Sequence, residues 1–287
     1  MAEQRRGFVS RFLRSPTGLV GVVLLTLILT LGIFAGYIAP GPPFAFGFPT
    51  ASPPSDAHLL GTDPSGRDML FLITRGIRTT LTVVGIVMAV SLAIGTALGL
   101  VAGYAGGIVD SAITRVAEII QAVPRFFLAL VVIAIYGQGI DKIILLLSLT
   151  SWTFLARALR AETLSVKQRT FVDAARATGA RGRSIVTRHI LPHVMPRALV
   201  VVMLMGSRVI LIEAGLAFLG LGDRSNPSLG VLASESQEYL RQAWWLSVFP
   251  GLGIAITVLG LNLLSDGLAK AIDIGSESGT PSRRRRP

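Results

Sequence analysis

Few residues in this chain have the type and spacing to do chemistry, and most of them sit in apolar surroundings. His189 and His193 are four residues apart, so a helix would bring both imidazoles to one face, half of a metal site. Pro192 interrupts that helix and no third ligand stands nearby, so no metal site is expected. Arg208 and Glu213 are opposite charges within an apolar run. A charge there costs ~2.5–3.5 kcal/mol to insert and should face protein or water, not lipid. Five helical residues turn through about 140°, so the two stand on different faces and do not pair within one helix. Both are candidates for lining a solute path, with an interhelical structural bond as the alternative for Arg208. Asp63, Arg67 and Asp68 surround Asp63-Pro64-Ser65-Gly66, which fits a type I turn with Asp first, Pro second and Gly fourth. That loop either holds two helices in register or offers charge to an external partner. No Ser/His/Asp or metal-hydrolase pattern has usable spacing, no Gly-x-x-x-x-Gly-Lys-Ser/Thr phosphate loop occurs, and there is no Cys. No catalytic residue is assigned, and the chain is expected not to be an enzyme.

The composition says which elements must hold these groups. Of 287 residues 51% are hydrophobic and 15% charged, and mean hydropathy is +0.64, too apolar for an ordinary soluble domain. A hydrocarbon core of ~30 Å takes roughly 20 helical residues. Apolar runs near that length cover Gly18–Ala39, Leu81–Gly103, Ile119–Tyr136, Ile140–Arg157, Ala198–Leu219 and Trp245–Leu264. The expected fold is all-α, a polytopic membrane protein of about six transmembrane helices. The first run is longer than the roughly 7–15 residues of a signal-peptide core and is read as an uncleaved helix.

Charge gives the orientation. With both termini on the cytoplasmic side, 20 of the 27 Lys and Arg fall inside, 6 fall outside and Arg208 lies within a span, as the positive-inside rule asks. Arg67, Arg75 and Arg78, before the second helix, are the exception. The net charge of +11 is read as loops beside anionic lipid, with no nucleic-acid partner. The chain then divides into a cytoplasmic tail (1–17), a first helix (18–39), an external loop (40–78), a five-helix domain (79–268) carrying a cytoplasmic loop (158–197), and a basic tail (269–287). Seven prolines between Pro40 and Pro64 keep the external loop from being helical throughout, and Phe44, Phe46 and Phe48 are expected at the outer interface. Gly95, Gly99, Gly103 and Gly107 recur every four residues, a stripe that lets another helix approach closely. The external stretch 228–241, with Glu235 and Glu238, reads as amphipathic and ends at the interfacial Trp244 and Trp245.

Between the fourth and fifth spans, Thr170 can cap a helix, Asp173 suits its first turn, Ala174, Ala175 and Ala177 are compact helix formers, and Gly179 can stop it. A second helical piece is expected to end near Leu191-Pro192. The residues alone leave this segment either as a helix lying on lipid or as a docking element. The order Asp173-Ala174-Ala175, Gly179, Leu191-Pro192 resembles the EAA loop of binding-protein-dependent ABC importer permeases. It departs at Asp173, where Glu is usual, and at His189, where Ile is commonest. Leu60 to Asp68, Glu213 to Gly222, and Trp244-Trp245 with Phe249-Pro250-Gly251 and Asn262 to Leu268 are similar to segments of the dipeptide/oligopeptide type, so the resemblance runs roughly from Gly18 to Asp273.

The resemblance implies the type I ABC importer permease fold and a plasma (inner) membrane protein of a prokaryote. Its implied partners are a second, related permease, two ATP-binding cassette ATPase subunits and an extracytoplasmic solute-binding protein. The chain itself would bind no cofactor, ATP and Mg being used by the ATPase subunits. By resemblance, Asp173, Ala174, Ala175, Gly179, Leu191 and Pro192 form the ATPase-coupling loop and Glu235 and Glu238 lie where the binding protein docks, with Asp63, Arg67 and Asp68 as further candidate contacts for it. The implied solutes are di- or oligopeptides, with nickel complexes, glutathione or another small solute as alternatives. An ion-coupled carrier using Arg208 and Glu213 as a relay is the rival from another class.

Overall fold

The computed structural model describes residues 12–38 and 48–277, with side chains through residue 272. Arg5, Arg6, Arg11, Phe44, Phe46 and the arginines at 283–286 lie outside the described residues. Helix α1 (Pro16–Ile33) starts where Ser15 accepts the Gly18 N–H at 3.3 Å and Pro16 takes the first position, where its missing N–H costs nothing. A short α2 (Ala35–Ile38) follows.

Helix α3 (Met69–Ala105) has 37 residues, about 55 Å at 1.5 Å each and far more than the hydrocarbon needs. Asp68 caps it, accepting the Leu70 N–H at 2.8 Å. The loop expected over 40–78 therefore stops at Asp68. The apolar run from Leu81 marks the hydrocarbon, whereas the helix begins wherever a cap satisfies its first N–H groups.

The expected third span, Ile119–Tyr136, is a bent pair: α4 (Gly107–Ala122) and α5 (Arg125–Tyr136) meet at 77°. Pro124 supplies no N–H and pushes Val123 to φ −86°, ψ 122°, outside the helical region. Then come α6 (Ile140–Lys167), α7 (Thr170–Ala177), α8 (Gly182–Ser184), a π turn (Ile185–Ile190), α9 (Leu191–Phe218), α10 (Leu229–Glu235), a 3-10 turn (Ser236–Tyr239) and α11 (Trp245–Glu277). Among the described residues, five helices are long and apolar enough to cross a membrane, six if the bent pair is one span. The described residues hold no β-strand.

The expected stop at Leu191-Pro192 is not there; the helical rod runs on from Gly182 to Phe218. Proline sits in the first turn of α9, and the Leu191 N–H reaches back to the Val186 carbonyl across a wide turn. That widening absorbs a residue whose ring and missing N–H would break a regular helix.

The glycine stripe lies where α3 meets α6, the most extensive helix contact in the chain. A Cβ on Gly99 would fall 2.8 Å from the Ala156 carbonyl oxygen, and one on Gly103 would fall 2.6 Å from Thr163 Cβ. Gly107 leaves the stripe and opens α4 at φ +53°. Buried side chains gather at three levels. Leu155, Leu159, Val172, Ile185, Ile190 and Val194 pack at one end. Val83, Val87, Leu147, Val209 and Ile210 pack midway, and Met69, Leu72, Ile77, Leu229, Trp245 and Leu246 at the other end.

Candidate functional site

At one end of the molecule α7 lies across the ends of α6 and α9. Arg169, in extended conformation, precedes it and provides no side-chain cap, so Thr170 is its first residue and not its cap. Asp173 sits in the first turn, where a carboxylate suits the helix dipole. The helix ends in a Schellman turn: Gly179 at φ +79° donates to the Arg176 carbonyl at 2.9 Å and the Ala180 N–H to the Ala175 carbonyl at 3.1 Å. Glycine takes that conformation at the least cost.

One face of α7 is fixed and the other is free. Val172 is fully buried and Ala175 nearly so, packed among Val166 of α6, Ile185 and Ile190 of the π turn, and Val194 of α9. Phe171 stacks on His193 with ring centroids 4.7 Å apart. Burying such side chains contributes about 1.5–3 kcal/mol for a valine, so a push on α7 reaches both long helices through packed contacts. Outward stand Asp173, Ala174, Arg176, Ala177 and Gly179, with Arg176 donating to Asp173 at 2.9 Å. No atom would lie within 4 Å of a Cβ on Gly179. Leu191 and Pro192 stand apart from this face, inside the rod that α7 leans on. The surrounding helix ends are tied by an Asp110–Arg160 ion pair between α4 and α6 and by Lys167 donating to the Tyr104 carbonyl at 2.6 Å. Residue spacing gave no sign of that ion pair, since its partners are 50 positions apart.

The opposite end brings together two segments that the sequence separates. Asp63 accepts the Ser65 N–H at 2.9 Å and the Arg67 N–H at 2.7 Å through one oxygen and Arg67 Nε at 2.5 Å through the other. The Gly66 N–H bonds the Asp63 carbonyl at 3.0 Å, closing the expected turn. Arg67 Nη2 then reaches Glu235 at 3.9 Å, and Arg224 Nε reaches the same carboxylate at 3.7 Å. With Glu238 and Tyr239 they line a cavity of about 290 Å³. Asp63 is 4% exposed and its oxygens are spent on the turn, so it offers no charge outward. Asp68 likewise caps α3 and bonds His58 Nδ1 at 2.9 Å. Glu235 and Glu238 are the acidic groups left facing the cavity. Asp63→Asn turns an amide toward Arg67 and strands a charged donor. It is expected to cost about 1.5–3 kcal/mol, read as a lowered thermal midpoint of the purified protein.

The two charges of α9 part company. Arg208 is on the surface, its guanidinium 4.5 Å from the Phe154 ring centroid and near enough to Arg125 for the charges to repel. Glu213 is 3% exposed, its Oε1 held by the Ser228 hydroxyl at 2.5 Å, and Ser228 also caps α10 by accepting the Val231 N–H at 3.2 Å. Glu213 therefore joins α9 to α10, buried where Arg208 is exposed, and its Oε2 has no hydrogen-bond partner. Ser228 was missed, although a serine just before an apolar run is a helix-start signal. His189 and His193 are stacked along the rod, His193 Nδ1 lying 2.6 Å from the His189 carbonyl oxygen.

A bundle of long apolar helices with a short helix packed across one end, its outer face exposed, defines a membrane-spanning protein. Residues 95–275 match the family described as "Binding-protein-dependent transport system inner membrane component", and residues 4–57 match the "N-terminal TM domain of oligopeptide transport permease C". The dipeptide transport system permease protein DppC of Escherichia coli (strain K12) is 39% identical over 270 residues, spanning 91% of this chain and 90% of that protein. The glutathione transport system permease protein GsiD of Pectobacterium atrosepticum is 35% identical over 271 residues, spanning 93% and 90%. An inward-facing structure of the MetNI methionine ABC transporter shares the fold at a TM-score of 0.61 and 20% identity, spanning 71% of this chain and 97% of that one. The chain belongs to the family of inner-membrane permease components of binding-protein-dependent transport systems.

Proposed function

We propose that this chain is one half of a permease pair that moves di- or oligopeptides inward, with α7 as the docking element for an ATPase subunit. The observation that carries the coupling role is the division of α7, with Val172 and Ala175 locked into α6 and α9 while Asp173, Ala174 and Gly179 face out. Both termini and α7 lie on the cytoplasmic side, where positive charge concentrates. The Asp63 turn with Glu235 and Glu238 then faces outward as the landing surface for a solute-binding protein. A second, related permease completes the path, and two ATPase subunits using ATP and Mg supply the energy. Closure of those subunits moves α7, and the packed contacts carry the motion into the spans.

The peptide substrate rests on the DppC likeness, and glutathione is the second reading because GsiD is nearly as similar. Arg208 fits a path-lining role: it is exposed on this chain within an apolar helix, a place that is costly unless water or protein covers it. Arg208→Gln is expected to lower uptake at least about tenfold while leaving ATPase assembly intact, with Arg208→Lys intermediate. Unchanged uptake in Arg208→Gln removes the residue from the path.

The deciding experiment is uptake of labelled peptides into proteoliposomes holding this chain with its partner permease, ATPases and binding protein, with and without internal ATP and vanadate. Vanadate-sensitive, binding-protein-dependent peptide uptake is the expected result. Uptake of glutathione alone keeps the importer and changes the substrate. Uptake by this chain alone, driven by an ion gradient, overturns the reading.

A further inference from the structure

Two arginines at the outer end of α3 have no role in the machinery described so far. Arg67 and Arg224 at this end each reach a carboxylate. Among the described residues, Arg75 and Arg78 reach none within 4 Å, and Arg75 Nε is buried without any hydrogen-bond partner while its guanidinium lies 5.4 Å from the Phe71 ring centroid. A buried cationic donor with no acceptor is costly unless something anionic supplies one. Both arginines line a half-open cavity of about 390 Å³ with Thr79, Ser225 and Asn226, floored by Phe71, Ile140 and Pro227. Asp223 stands behind this wall. Partial burial pushes its carboxyl up, but the Ser225 hydroxyl and N–H, the Asn226 amide and the Ile140 N–H outweigh that and hold it below the usual carboxylate range. Its oxygens are taken up by these donors, and it makes no ion pair with Arg75 or Arg78 within 4 Å.

Depth and shape choose the anion. Arg78 and Arg75 precede Leu81 by three and six residues, about 4.5 and 9 Å along the helix, which is the thickness of a headgroup layer beside a ~30 Å core. On the same face, one to five turns further in, Thr82, Ile86, Ala89 and Ala93 are exposed, a mostly apolar track of side chains that runs from the cavity toward the hydrocarbon, with the Thr82 hydroxyl turned back to the Arg78 carbonyl at 2.8 Å. A soluble oxyanion has no use for such a track, whereas an amphiphile fills both parts. We propose that this cavity binds the phosphate headgroup of an anionic phospholipid, with Arg75 and Arg78 as its donors and one acyl chain lying along Thr82, Ile86, Ala89 and Ala93. The site accounts for the positive charge that breaks the inside bias at this loop, and it stands whether or not the solute is a peptide.

The test is native mass spectrometry of the assembled importer after delipidation, titrated with phosphatidylglycerol or phosphatidylcholine. The wild type is expected to retain phosphatidylglycerol in preference to phosphatidylcholine. R75Q/R78Q, which should keep binding-protein-stimulated ATPase activity, is expected to bind phosphatidylglycerol at least about tenfold more weakly, with R75K/R78K recovering most of the loss. Equal retention by wild type and R75Q/R78Q overturns the proposal. If the double variant fails to assemble, the wild type still decides it, because no preference for phosphatidylglycerol over phosphatidylcholine also overturns it. Displacement of the retained lipid by a free-acid peptide but not by its C-terminal amide makes the cavity a solute site and overturns the lipid assignment.

Discussion

Gly179→Arg is expected to leave the chain inserted and folded while reducing uptake to background and weakening capture of the ATPase subunit. The residue ends α7 at φ +79°, where an L side chain costs about 1–2 kcal/mol, too little to unfold a chain anchored by its long helices. Nothing lies within 4 Å of the added Cβ, so the new side chain starts without a clash from the exposed face. There it adds a fourth guanidinium to Arg176, Arg181 and Arg183, all exposed, on a surface whose other features are small residues and Asp173. Bulk and charge together block an approaching partner. Gly179→Asn is the control, because asparagine tolerates the left-handed region and is short; it should retain most of the uptake. The measurement is peptide uptake beside pull-down of the ATPase subunit by the assembled permease. Wild-type uptake by Gly179→Arg would refute the docking role of α7, and aggregation of the variant would move the role of Gly179 from docking to folding.

The parts of the fold that could be read from sequence are those governed by local periodicity. The apolar runs located every long helix, and Gly179, the Asp63 turn and the glycine stripe each followed from a backbone requirement that few residues satisfy. What escaped depends on partners distant in sequence or on geometry that a proline merely permits. Pro124 bends its helix by 77°, while Pro192 passes inside a continuous rod because a π turn precedes it. Both are prolines within apolar helices, and nothing local separates them. Asp63 and Glu235 are 172 positions apart yet joined through Arg67, so the sequence marked both segments without showing that they meet. Glu213 and Arg208 looked alike as buried charges. Helical spacing set them on different faces without saying which face is inward, and Ser228, which holds Glu213 there, lies 15 residues on. The resemblance supplied the family and the coupling loop, but it carried no information about which of these side chains remains available to a partner.

Gly99→Val is expected to destabilise the folded bundle strongly. The atoms nearest an added Cβ at position 99 are the Ala156 carbonyl oxygen at 2.8 Å, Leu159 Cβ at 2.9 Å and Ala156 Cα at 3.3 Å. Backbone and Cβ atoms cannot rotate away, so α3 and α6 must separate, and their separation loosens the packing at Gly95 and Gly103, one turn on either side. Overpacking alone costs about 1–3 kcal/mol. In a membrane, close packing and interhelical hydrogen bonds replace the hydrophobic drive between helices, so the loss is not recovered by burial elsewhere. Gly85 provides the contrast on the same helix, since no atom lies within 4 Å of a Cβ there and the residue is exposed. Gly85→Ala should therefore be neutral or slightly stabilising, as expected for alanine replacing glycine in a helix. The measurement is thermal unfolding of the two variants in the same detergent, with membrane accumulation followed in parallel. A Gly99→Val protein as stable as Gly85→Ala would mean that the close approach of α3 to α6 does not hold the bundle together, and the rigid link from α7 through α6 to the spans would lose its support with it.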